Sequence, residues 1–266
     1  MPGPTPARDA TAFDPTHALV VATDADATVE ARATADAVDA VLDHADTVAV
    51  AVDRPMLADE HPAVADDLRT AFASTEATSD ATGGGARPLR APVHEVRDAL
   101  ASLLALSCVH RFVAVERLDA FRDDRRVLAY VPDHGQFRVD AHATTDRDAL
   151  RAAVDDALAA APAGLLPARP LADWTAAGTR HVLEPPSLCV DDACFDLGAL
   201  ERVHLDADDR VVELAWRVDD GLVARALDAL GPSRPDRFRF DSANRYADVA
   251  AAFRTVADAL DVTATE

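Results

Sequence analysis

The sequence lacks lysine and isoleucine altogether, and it contains a single asparagine, Asn244, and a single glutamine, Gln136. All 26 basic residues are therefore arginines, and 47 acidic residues outnumber them, which gives a formal net charge of −21. Such an excess of one sign repels itself at low ionic strength, whereas molar salt shortens the Debye length to about 3 Å. The missing residue types and the acidic surplus therefore indicate a protein adapted to high salt.

This composition resembles that of proteins from extreme halophiles, whose cytoplasm is filled with salt. The charge also bears on partners, because binding to phosphate backbones or to anionic lipids requires a basic stripe. The arginines are scattered, with short clusters only at 122–126 and 234–239. We therefore expect neither a nucleic acid nor a membrane as partner. The sequence does not identify a protein partner.

The chain also lacks a run of about 18 apolar residues, so no transmembrane helix is predicted. Residues 1–15 are rich in proline and aspartate and have no apolar core of a signal peptide, which predicts a disordered lead. Three cysteines are present: Cys108, Cys189 and Cys194. An odd number without a secretion signal predicts reduced thiols in the cytoplasm, buried as apolar side chains rather than bound to zinc.

A length of 266 residues is typical of about two domains. The best linker in the sequence is APAGLLPARP, residues 161–170, and we place the boundary there. This divides the chain into an α/β domain over 16–160 and a β-rich domain over 171–262. The polar, triglycine segment 74–88 is predicted to be a flexible loop within the first domain.

The first domain begins with a strand over His17–Ala22, a helix over Thr28–His44 and a strand over Thr47–Val52. This spacing is that of a βαβ unit and predicts an open α/β sheet in a two-layer or three-layer sandwich. Alternating residues further along predict strands at Val109–Leu118 and Arg126–Val131. The overall expectation is a mixed α/β or α+β fold.

The second half shows short strands separated by turns and a strong closing helix over Tyr246–Leu260. The stretches that carry this pattern are CFDLGALERVHLD, RVVELAWRV and DRFRFDSANRYADVAAAFRTVADAL. This region resembles a pleckstrin-homology-like domain, an antiparallel β-domain closed by a C-terminal helix. The basic loop of the lipid-binding members is absent, so the resemblance implies an interaction or scaffold role.

The stretch LVVATDADATVE places two carboxylates, Asp24 and Asp26, directly after the first strand. In an open α/β sheet, ligands bind at the carboxyl ends of strands, and paired carboxylates are suitable ligands for Mg²⁺ or Mn²⁺. Asp53, at the end of the second predicted strand, is a candidate further ligand. The alternative is that Asp26 caps the following helix, since aspartate is a preferred capping residue.

The same stretch is similar to motifs of three families of phosphate chemistry. It resembles the DxDx[TV] motif of haloacid-dehalogenase-like phosphatases, which implies a nucleophile at Asp24 and an acid/base at Asp26. It also looks like the DxD segment of Toprim domains and the opening of DHH-type phosphoesterases. The first family also uses a later basic residue and an acidic pair, and this chain has no lysine.

Two functions follow as hypotheses. The first is an interaction or regulatory module of a halophile cytoplasm without a cofactor. The second is a metal-dependent phosphoesterase that uses Asp24 and Asp26 with Mg²⁺ or Mn²⁺.

Overall fold

The structure is a computed structural model that describes residues 13–23, 27–73, 88–176, 178–217 and 233–265. In these ranges the chain forms seven α-helices and fifteen β-strands in three sheets, with a helix near the C-terminus. The mixed α/β class predicted from the sequence is confirmed. None of the described helices has both the length and the apolar character needed to cross a membrane.

The largest sheet has seven strands in the order β3-β2-β4-β5-β6-β1-β7, and every neighbouring pair is antiparallel. This antiparallel hydrogen bonding differs from the parallel pairing that adjacent strands of a βαβ unit would have. The strands are β1 (His17–Val21), β2 (Thr47–Val52), β3 (Leu89–Pro92), β4 (Val115–Arg122), β5 (Arg125–Val131), β6 (Gln136–Val139) and β7 (Ala163–Pro167).

The expected βαβ unit is present in chain order, but its two strands are not neighbours. Strands β4, β5 and β6 lie between β1 and β2. They form a meander of sequential antiparallel strands, which fills the central positions of the sheet. Ligand placement at the carboxyl edge of a parallel sheet therefore does not carry over to this fold.

Helices cover one face of the large sheet, where β1 and β2 contribute Leu19, Val48, Val50 and Val52 to a buried core. Segment 109–118 was predicted as a strand, and this was wrong: a helix fills its first half. Ser107 starts that helix by accepting a hydrogen bond from the backbone N–H of His110. The helices of this part are α1 (Ala27–Leu42), α2 (Arg54–Glu60), α3 (Pro62–Ala71), α4 (Val93–Leu104), α5 (Cys108–Ala114) and α6 (Arg147–Leu158).

The C-terminal part has two four-stranded sheets and one long helix. One sheet has the order β11-β10-β9-β8, and the other has β14-β13-β12-β15, in which β12 and β15 run parallel. Residues 222–230, whose sequence pattern predicts a short helix, lie outside the described residues. The elements are β8 (Ala172–Ala176), β9 (Thr179–Glu184), β10 (Ser187–Val190), β11 (Ala193–Asp196), β12 (Leu200–Asp206), β13 (Val211–Trp216), β14 (Arg237–Arg239), α7 (Ala243–Ala259) and β15 (Thr263–Thr265).

The segment assigned to a linker forms a structured junction. Ala163–Pro167 is strand β7, which pairs with β1 at the edge of the large sheet. Successive strand residues face opposite sides, so Leu19 joins the helical core whereas Val20 and Leu166 join the core of the C-terminal part. An added Cβ at Gly164 would lie 2.8 Å from the Ala259 carbonyl oxygen, so helix α7 packs directly on this strand.

The prediction of reduced thiols was wrong for two of the three cysteines. Cys189 and Cys194 form a disulfide across the hairpin of β10 and β11. The antiparallel register places the two residues directly opposite each other, a relation that the CVDDAC spacing alone did not reveal. Cys108 is free and half-buried.

Candidate functional site

The aspartates singled out from the sequence, Asp24 and Asp26, lie outside the described residues, so their role remains a prediction. Asp53 is described, and its Oδ1 accepts a hydrogen bond of 2.9 Å from the backbone N–H of Met56, which caps α2. Four strand spacings separate the axes of β1 and β2, which is about 19 Å. The structure therefore does not bring Asp53 to the end of β1.

The described residues contain no group of three or more histidine, cysteine, aspartate or glutamate side chains arranged to hold a metal ion. Asp53 has a structural role within these residues, because its carboxylate satisfies a backbone donor in the first turn of a helix.

A cavity of about 190 Å³ lies at the carboxyl end of β1, where the helical layer meets the C-terminal part. Thr23 borders it and is held by two hydrogen bonds to the Gly198 carbonyl oxygen, 2.9 Å from its N–H and 3.2 Å from its hydroxyl. An added Cβ at Gly198 would lie 2.3 Å from the Val21 carbonyl oxygen, so only glycine permits this approach. The polar residues of the wall include Thr23, Glu30, Cys108, Arg111, Tyr130 and Asp196.

Arg111 is the most unusual side chain of this cavity. It is only 2% exposed, and its Nη2 lies 3.6 Å from the Cys108 sulfur. Its Nε and Nη1 have no hydrogen-bond partner, and no carboxylate of the described residues forms an ion pair with it. Because a guanidinium does not lose its proton in proteins, Arg111 carries a buried positive charge without a counter-ion in this part of the chain.

Tyr130 and Cys108, two neighbours that become negative on losing a proton, keep their protons at ordinary pH. Burial raises the pKa of Tyr130 to about 12, although the positive charge of Arg111 opposes this rise. Burial also raises the pKa of the Cys108 thiol, and the negative charge of Glu30 adds to the effect. Tyr130 therefore offers a phenol O–H, and Cys108 does not supply a thiolate to neutralise Arg111.

The helix that carries Arg111 exposes an apolar surface beside the cavity. Val109, Phe112 and Val113 are 69%, 53% and 49% exposed, while Arg111 and Ala114 face inward. Phe112 also borders the cavity. We call these three exposed side chains the α5 surface. A buried arginine and an exposed apolar face on the same seven-residue helix invert the usual distribution of residue types.

Sequence reasoning missed this site because segment 109–118 was interpreted as a strand. The stretch CVHRFVAV holds one arginine among apolar residues, and this was the available signal. In a strand, Arg111 would share a face with Val109 and Val113. On the helix Arg111 points away from Val109 and Val113 into the protein. The capping residue Ser107 is the local feature that indicates this helix.

Comparison of the chain with family models, with curated proteins and with solved structures finds no match. The fold and the cavity define a mixed α+β protein with a pocket, bordered by a buried arginine, where the helical layer meets the C-terminal part.

Proposed function

We propose that the protein is an interaction or regulatory module of a salt-rich cytoplasm, and that it binds a partner protein through the α5 surface. The observation that supports this proposal is the exposure of Val109, Phe112 and Val113 on one short helix. Contiguous exposed apolar side chains on a soluble protein are typical of a binding surface, and aromatic anchors contribute strongly to affinity.

The charge of the chain supports the same proposal. In a molecule with a formal net charge of −21, three neighbouring exposed apolar residues stand out from an acidic surface. Molar salt screens the repulsion between two acidic proteins, so apolar contact becomes the main attraction available to them.

The C-terminal part adds a second line of support. Two small sheets and helix α7 enclose a core that includes Trp174, Phe238 and Phe253. This arrangement is compatible with the pleckstrin-homology-like resemblance proposed from the sequence, and domains of that type serve as interaction modules. The disulfide of β10 and β11 is the feature that fits a reducing cytoplasm least well.

The partner proposal is tested by substitution of the α5 surface. We expect Phe112→Asp to abolish co-purification of specific proteins from an extract of the native host in molar KCl. The matched control is Val29→Asp, which places the same charge at a less exposed valine on α1. An identical set of co-purifying proteins from wild type, Phe112→Asp and Val29→Asp would contradict the proposal, provided that all three unfold cooperatively at similar urea concentrations.

A metal-dependent phosphoesterase is the second candidate. One observation favours it: Thr23, the residue before Asp24, borders the same cavity as Arg111. Guanidinium groups bind phosphate oxygens well. Under this hypothesis Asp24 and Asp26 would bind Mg²⁺ or Mn²⁺ and support hydrolysis of a phosphate ester.

Phosphatase and phosphodiesterase assays in molar KCl with Mg²⁺ or Mn²⁺ test this alternative. Hydrolysis that Asp24→Asn and Asp26→Asn abolish, and that Asp53→Asn leaves in place, would establish it. Asp53→Asn is a suitable control because this aspartate caps α2. No metal-dependent hydrolysis by the wild type would eliminate the enzyme hypothesis.

A further inference from the structure

We propose that the cavity beside Arg111 binds a carboxylate group of a ligand. The observations behind this are a guanidinium that is 2% exposed, two of its nitrogens without hydrogen-bond partners, and a cavity of about 190 Å³ on which it borders. The site shares Phe112 with the α5 surface, but Arg111 is inside the protein whereas Val109 and Val113 are in solvent.

The energetics of Arg111 favour an anionic ligand. An ionised group that is taken out of water without a partner destabilises the protein by several kcal/mol, and arginine does not relieve this by deprotonation. A bound anion would restore both charge balance and hydrogen bonding. The guanidinium binds a carboxylate through charge-assisted N–H···O bonds, and Nε and Nη1 are the nitrogens without a partner that would donate them.

The charges of the cavity favour a monoanion over a dianion such as phosphate. Arg111 is the single cationic residue among the described residues that line it, and Glu30 and Asp196 contribute negative groups to the same wall. A carboxylate adds a single negative charge to a wall that already holds two acidic side chains, whereas a phosphate dianion would add two and be repelled more strongly.

The remaining lining suits a carboxylate attached to a short apolar body. Tyr130 keeps its proton, and its hydroxyl is available to donate a hydrogen bond to a ligand oxygen. Leu19, Phe137 and Phe112 supply apolar wall. A short-chain carboxylic acid and the carboxyl group of a peptide share this chemistry, and the experiment below separates these two sources.

The test is calorimetric titration of the full chain in molar KCl with propionate, with its neutral isostere propionamide and with inorganic phosphate. We expect measurable binding of propionate, weaker or no binding of propionamide, and weaker binding of phosphate. Propionamide binding as tight as propionate, tighter binding of phosphate, or no propionate binding would each overturn the assignment.

Variants locate the bound probe. We expect Arg111→Gln to weaken propionate binding by about ten- to a hundredfold, the range typical for loss of a charge-assisted hydrogen bond. Arg111→Lys keeps the charge but lacks the planar fork, so we expect an intermediate loss. The control is Arg97→Gln, which removes an arginine on α4 that pairs with Asp39 and Asp43. Equal propionate affinity in wild type and both Arg111 variants would overturn the proposal, and Arg111→Lys answers the question if Arg111→Gln does not fold.

The source of the carboxylate is decided by a short peptide with a free C-terminal carboxyl group and by the same peptide as its C-terminal amide. Binding of the free-carboxyl peptide alone assigns the site to a peptide terminus, and binding of propionate alone assigns it to a free small acid. If the amidated peptide binds as tightly as the free one while propionate does not bind, the carboxylate proposal is wrong.

Discussion

Arg97 and Arg111 lie near opposite ends of α1, and their environments differ in almost every respect. The Arg97 side chain is 36% exposed and pairs with Asp39 and Asp43 near the carboxyl end of α1. These hydrogen bonds raise its pKa above the usual value for arginine. Arg111 is near the amino end of α1, is buried, and has no ion pair among the described residues. Arg97 therefore holds two helices together, whereas Arg111 has binding capacity that the described protein does not use.

The helix dipole of α1 reinforces this difference. The carboxyl end of a helix carries partial negative charge and the amino end partial positive charge. Arg97 also donates a hydrogen bond of 3.3 Å to the carbonyl oxygen of Asp39, which is in the last turn of α1. The field at the opposite end disfavours a second cation and favours an anion. The positions of the two arginines along α1 thus agree with a structural role for Arg97 and with the ligand-binding role proposed for Arg111.

The largest expected effect comes from replacing Arg111 by an apolar residue of similar length. In the absence of added ligand, we expect Arg111→Met to raise the free energy of unfolding by about 1–3 kcal/mol, because a buried charge without a partner is removed. Urea unfolding in molar KCl measures this change. A loss of several kcal/mol would contradict the comparison, since it would show that Arg111 already has a stabilising partner.

Replacing Arg97, the arginine that forms ion pairs, is expected to lower the free energy of unfolding. Arg97→Met removes two partly exposed ion pairs, and such pairs contribute about 0.2–1 kcal/mol each, so we expect a decrease of about 1 kcal/mol. The same urea experiment applies. Arg69→Met, which removes one more exposed pair with Asp66, provides the baseline for a minor loss. A gain in stability for Arg97→Met would break the contrast between the two arginines.

The buried side chain of His181 differs from that of Arg111 because a histidine becomes neutral by losing a proton. His181 is buried against Trp174, its Nδ1 has no hydrogen-bond partner, and burial lowers its pKa below 6.5. The unfolded chain therefore binds this proton more readily, so the stability contribution is complete above pH 6.5 and is lost as the pH falls through the lower folded pKa.

Urea unfolding across mildly acidic pH measures this dependence. We expect His181→Phe to flatten the decline in stability below pH 6.5, and substitution of the exposed His134 is the matched control. An unchanged slope in His181→Phe would show that other groups cause the decline.

The smallest effect concerns the tyrosine that faces Arg111. The positive charge of Arg111 favours the phenolate, so its loss in Arg111→Met should raise the pKa of Tyr130 further. Near-ultraviolet absorbance of the phenolate measures the shift, with Tyr246→Phe as background because the chain has two tyrosines. An unchanged or lower pKa of Tyr130 in Arg111→Met would mean that the charge of Arg111 does not stabilise the phenolate.

Local sequence patterns predicted the elements whose environment is also local. Thr47–Val52 forms a strand with the predicted bounds, because a run of β-branched and apolar residues between turns favours a buried strand. Strand order was not predictable in this way, since the insertion of β4, β5 and β6 between β1 and β2 depends on long-range pairing. The pairing of residues 163–167 with β1, which is remote in sequence, was not predictable for the same reason.

The candidate site depended even more on tertiary structure. The pattern around Asp24 predicts a metal site because carboxylates that directly follow a strand are visible in the local sequence. Arg111 is buried because α1, β5 and the C-terminal part pack together around it. The spacing of residues near Arg111 in the sequence does not predict this packing. The helix cap at Ser107 was the one local feature that would have turned Arg111 inward.

The most direct test of the central claim is an NMR measurement of the arginine Nε–H groups in molar KCl during addition of propionate. The Arg111 signal is assigned by its disappearance in Arg111→Lys, and Arg97 serves as the internal reference. We predict that the Arg111 Nε–H resonance moves downfield with saturation as it gains a carboxylate partner, while the Arg97 resonance stays in place. An Arg111 resonance that does not respond to propionate, or that moves only as much as that of Arg97, would contradict the account.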